Sequence, residues 1–164
     1  MKPLLKFLHE VGTVGAMGSV VIQLVLSIWA ANRSPEEQVV IRSAMLVVCR
    51  GFLLPSLVVV MVSGLLSMGL HRSFHNAEWV WIKALMTPLV LEGTVLAIDA
   101  PARAAAELSV RVAAGDVTAT APLAEAMRLE SWGLWLALLL YTANIALSVW
   151  RPRFRAASRV PAKT

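Results

Sequence analysis

The chain holds one cysteine, one tyrosine and three histidines, which leaves little for redox, phenolic or metal chemistry. A lone thiol, Cys49, excludes an intrachain disulfide and any Cys-x-x-Cys redox or zinc motif, and its neighbours Val47 and Val48 mark it as buried. Charge is scarce as well: Asp, Glu, Lys and Arg make up 15% of residues, against roughly 25% in soluble domains. The sequence contains no phosphate-cradling glycine loop, no Ser-His-Asp arrangement and no His-Glu-x-x-His, because His9-Glu10 lacks the second histidine. Hydrolytic chemistry has no footing here.

What fills the chain is apolar. Hydrophobic residues reach 58%, and they gather in four segments, about 7–31, 45–70, 79–98 and 132–150. Each is close to the ~20 residues that cross a bilayer core. The fold class expected is therefore all-α: a polytopic membrane protein, one four-helix bundle over 1–150, followed by a basic tail over 151–164. The start, Met1 to Lys6, has the basic character of a signal peptide. Its apolar run is too long, however, and Trp29-Ala30-Ala31 is a poor cleavage site, so it reads as an uncleaved first span.

The formal charge of +5 does not point to nucleic acid, since no soluble surface remains to carry a basic groove. Five of the positive residues, Arg151, Arg153, Arg155, Arg159 and Lys163, lie in the tail, on the same side as Lys2, Lys6 and Arg72. Arg33, Arg42, Arg103, Arg111 and Arg128 lie on the other side, mostly balanced by acids. The positive-inside bias then puts both termini in the cytoplasm of a cell-membrane protein. Its partners are the lipid bilayer and a second copy or a partner membrane subunit.

Local signals divide the chain further. Ser34-Pro35-Glu36-Glu37 reads as a helix start with Ser34 as N-cap and Glu37 completing a capping box. From there to Leu70 would be roughly 55 Å of helix, so Pro55 is expected to kink it. Gly12, Gly15 and Gly18 supply small faces for close helix contact. Pro101 to Ala114 reads as a short amphipathic helix ended by Gly115, either extending the third span or capping the bundle. Trp79, Trp81, Trp132, Trp135 and Trp150 mark the interfaces.

All three histidines fall at the cytoplasmic end. His9 lies just inside the first apolar run beside Glu10, while His71 and His75, four apart, share a face with Met68 and Met61. His9, His71, His75 and Met68 can be read as a copper site, or equally as interfacial polar groups beside gap-filling methionines. Glu92 lies deep in the third span and is a functional candidate by default, with Arg50 and Gln23 as its expected partners. Lys83 can snorkel to the inner interface.

Leu4-Leu5-Lys6-Phe7-Leu8-His9, Arg50 with Pro55 and Gly64, and Trp81-Ile82-Lys83 together resemble small four-helix membrane families: the HemJ-type protoporphyrinogen oxidases, the copper-resistance protein D domain and related membrane proteins. The resemblance to the oxidases implies that His9 binds haem b, that Lys83 is functional and that Arg50 matches the family's arginine leading into helix two. From its place at the inner interface Lys83 could also anchor a haem propionate near His9. The chain departs from that pattern at Leu91 and Glu92, where the oxidases carry a Tyr-His pair. Any second axial ligand would then come from His71 or His75. Three functions follow as expectations: a haem-b-binding redox protein, a copper-handling membrane protein, or a non-catalytic subunit whose polar residues only stabilise packing.

Overall fold

A computed structural model describes residues 2–70 and 78–150, with side chains other than those of residues 2, 78–80, 82–83 and 147–148. His71, His75, the tail over 151–164 and the side chain of Lys83 lie outside the described residues. Helix is the only regular structure among the described residues. The elements are α1 (Lys2–Ala30), α2 (Pro35–Val48), α3 (Leu54–Leu70), α4 (Glu78–Thr94), α5 (Ala100–Ala113) and α6 (Thr120–Trp150).

Two of the joins are not breaks. A π-helical turn, Cys49–Leu53, carries α2 directly into α3, and a second, Val95–Asp99, carries α4 into α5. In each, the amide that follows the turn donates five residues back: Leu54 to Cys49 and Ala100 to Val95. A proline follows at the same spacing both times, Pro55 and Pro101. Proline has no N–H to give the carbonyl four residues earlier, here Gly51 and Ala97, and a local widening lets the helix continue past it. The expected kink at Pro55 is thus a π turn, and the segment after Asp99 extends the third helix in one rod before packing across the end of the bundle.

The helix ends follow their local chemistry. Ser34 Oγ accepts from the Glu37 amide (3.3 Å) and Glu37 Oε2 accepts from the Ser34 amide (3.0 Å), the reciprocal capping box. Arg33 stacks 4.6 Å above the Trp29 ring beside this turn. Gly115, at φ +89°, ends α5: its amide donates to Val112 and that of Asp116 to Arg111, the two bonds of a Schellman motif. Asp116 then accepts from the Thr118 amide and hydroxyl and from Arg111, so α6 starts at Thr120, well before the apolar run expected from 132.

Three helical stretches, Pro3–Ala30, Pro35–Leu70 and Ala84–Ala113, are long and apolar enough to cross a membrane. Large apolar side chains such as Val14, Val25, Phe52, Leu89 and Leu139 point outward, as contact with lipid requires. Inside, Val20, Met45, Cys49, Leu53 and Leu134 form a fully buried core between α1, α2, the first π turn and α6. A smaller cluster of Ala105, Leu123 and Ala126 joins α5 to α6 at the far end. Gly12 and Gly15 sit where α1 crosses α3, and a methyl on either would press on Ser56 or Val60. Gly18 faces open space. Gly133 is the tightest point, because a Cβ there would collide with the backbone carbonyl of Ala97, the oxygen that Pro101 leaves without its usual donor.

Gly133→Ala is expected to cost about 1–3 kcal/mol, seen as a lower Tm in detergent, whereas Gly18→Ala leaves Tm unchanged or raises it slightly. The Thr118 and Arg111 hydrogen bonds hold the Asp116 carboxyl below its ordinary 3.8. A depressed carboxyl contributes order above its unfolded pKa and loses it as pH falls through the folded value. The protection of the Thr118 amide, its exchange rate relative to an unstructured chain at the same pH, should therefore hold at neutral pH and fall only below about pH 4.

Candidate functional site

At the His9 end, a cavity of about 380 Å³ opens among all four long helices. Lys6, His9, Glu10, Thr13 and Ala16 of α1 form one wall; Leu57 and Val60 of α3, Thr87 and Val90 of α4, and Tyr141, Asn144, Ile145 and Val149 of α6 form the others. The volume falls within the range that small ligands occupy, and the lining is apolar with a few polar groups.

His9 is held by its neighbours. Its Nδ1 lies 3.1 Å from the Val60 carbonyl and 3.2 Å from Ser63 Oγ, and the ring packs over Gly64. The carbonyl can only accept, so in the neutral imidazole the N–H is on Nδ1 and the lone pair is on Nε2. Ser63 Oγ in turn donates to the Val59 carbonyl at 2.6 Å. A histidine whose Nδ1–H is tied to a backbone carbonyl is the arrangement found behind metal-ligating imidazoles. Thr13 donates to the His9 carbonyl at 2.8 Å, which steadies the same turn. Tyr141 is buried, with its hydroxyl 3.4 Å from that of Thr94.

Of the candidate site residues His9, Arg50, Met68, Glu92 and Gln23, His9 alone lines this cavity. Met68 is half-buried on α3 and does not line it. The described residues contain no cluster of three or more His, Cys, Asp or Glu side chains with metal-ligating spacing.

Arg50 does not meet Glu92. Its Nε donates to Asp99 Oδ1 at 2.8 Å, and Arg103 Nη2 donates to Asp99 Oδ2 at 2.7 Å. Arg50 belongs to the first π turn and Asp99 to the second, so the pair ties the two widened turns together. Glu92 is exposed on the outer face of α4. The reason is rotational: Val90 and Thr94 take the buried face of α4, which turns Glu92 outward.

The second interaction absent from the sequence reading is Arg42 Nη1 with Glu130 Oε2 at 2.8 Å, both side chains wholly buried. Eighty-eight positions separate them, so no local pattern could have paired them. The available signal was weaker: Glu130 stands just ahead of an apolar run, where an unpaired carboxylate would be costly. Gln23, also fully buried, lies on the same inner face of α1 as Ser27, whose hydroxyl is 3.3 Å from that of Ser131.

No known protein family, no curated protein and no solved structure matches this chain.

Breaking a buried ion pair strands a charge, so Arg42→Met should cost about 3–5 kcal/mol. The double variant Arg42→Met/Glu130→Leu is expected to recover most of that loss. A thermal-unfolding double-mutant cycle measures the coupling.

Proposed function

We propose that the protein is an integral membrane protein that binds haem b in the cavity beside His9, in a redox or electron-transfer role. The observation that carries the reading is the anchored imidazole: Nδ1–H is committed to the Val60 carbonyl on the wall of a cavity lined by all four helices. Nε2 is thereby the ring nitrogen with ligand character. The residues fit the group in kind: an apolar chamber, one oriented imidazole and the Lys6 ammonium on the same wall for an anionic substituent. Lys83 of α4 is the second cation, a residue the resemblance to the oxidases marks as functional and one able to anchor a propionate by snorkelling to the inner interface. When bound, haem supplies a one-electron couple, and the protein's part is to set its axial ligand and its apolar surroundings.

In this reading α6 is a fourth crossing. It packs Leu134, Ala137 and Tyr141 into the same core as α1 and reaches the His9 cavity through Asn144 and Ile145, so it runs the same depth as the helices beside it. Both termini then lie in the cytoplasm with the His9 cavity near that face, and the Arg42, Asp99 and Glu130 end faces outward.

Detergent-purified protein, reconstituted with haemin, should show a Soret band that sharpens and shifts on dithionite reduction. His9→Ala should lose it while keeping its helical circular dichroism. Absence of the band in the wild type, or an unchanged band in His9→Ala, overturns the proposal.

A further inference from the structure

At the end of the bundle opposite His9, a second cavity of about 180 Å³ lies between α2, α5 and α6. Gln38, Ser109 and Met127 are among its lining residues. One helical turn further in on α2, Gln38 is followed by Arg42, and on α6, Met127 is followed by Glu130. Gln38 and Met127 on the cavity wall therefore stand one helical turn outward of the buried ion pair.

That pair is incomplete. Arg42 Nε and Nη2 and Glu130 Oε1 are buried and meet no protein partner, and neither do Nε2 and Oε1 of the fully buried Gln23. The register brings Gln23 to the same region. Gly15 faces Ser56, and α1 runs antiparallel to α2 and α3, so a residue eight beyond Gly15 comes level with Val48, beside the buried Met45 and Cys49. Arg42 Nη1 reaches down to that level, 3.6 Å from Met45 Sδ.

The unmet groups are of both kinds: N–H donors on Arg42 and Gln23, and oxygen acceptors on Glu130 and Gln23. A bound anion would serve the donors and leave the acceptors unmet, and a cation the reverse. The charge of the pair is already balanced. Water both donates and accepts, is neutral, and needs only two to four polar partners.

We infer that this cavity is the mouth of a hydrated half-pathway, in which ordered water passes between α2, α5 and α6 and completes the Arg42, Glu130 and Gln23 groups. The pathway admits water from one end of the bundle to the depth of Met45 and is independent of what the His9 cavity binds.

Met45 is a built-in reporter, being fully buried yet in contact with Arg42. In synchrotron hydroxyl-radical footprinting of the full chain, water at this site makes radicals beside Met45. Oxidation of Met45 at a rate approaching that of Met127 is the expected result; Met127 labelled with Met45 unlabelled overturns the inference. In Gln23→Leu, a hydrated site loses a water anchor, so Met45 labelling falls and Tm drops by a few degrees. A dry site instead loses an unpaired amide, and a Tm that rises overturns the inference. If Gln23→Leu does not fold, the wild-type footprint decides.

Discussion

Helices in an apolar solvent must satisfy their own backbone, and this constraint organises the whole bundle. Three prolines stand inside the rods: ahead of Pro55 and Pro101 the chain widens into a π turn, whereas Pro88 lies within α4 without one. The widening places Arg50 and Asp99 on facing turns, 2.8 Å apart. Pro101 also leaves the Ala97 carbonyl without its usual donor at the spot where α6 passes closest, and only glycine, Gly133, fits there. Backbone accounting thus decides a charge pair, a helix crossing and a residue identity together.

The bundle has two ends of different character. Around His9 the polar groups sit on the walls of a chamber, with His9 and Thr13 hydrogen-bonded to backbone carbonyls. At the other end, the polar groups lie within the packing. Arg42 and Glu130 are paired and wholly buried, and Asp99 is gripped by Arg50 and Arg103. Those pairs bind α2, α5 and α6 where the apolar core is thin, since the buried members of that cluster are Ala105, Leu123 and Ala126. Electrostatics does there what leucine and valine do nearer the middle.

Much of this was legible because it is local. The capping box at Ser34, the stop at Gly115, the apolar runs and the small face of α1 each depend on residues a few positions apart. The repeated spacing of Pro55 and Pro101 behind the π turns was equally local, although its consequence is a widened turn and not the kink that proline alone suggests. His9 could be singled out as a polar residue at the edge of an apolar run. Its hydrogen bonds to Val60 and Ser63 could not, because they depend on how α1 crosses α3.

The amino-acid sequence by itself determined the helical segments, the caps at Ser34 and Gly115, the apolar character of the outer faces and the few side chains capable of chemistry. Those properties follow from periods and spacings of seven residues or fewer. The tertiary structure decided which charges meet: Arg50 with Asp99 in place of Glu92, and Arg42 with Glu130 across eighty-eight positions. Pairing of that kind depends on the rotation of each helix about its own axis, which is set by packing among all four rods. A π turn shifts that rotation partway along a helix, so the face a residue presents cannot be counted from the sequence alone.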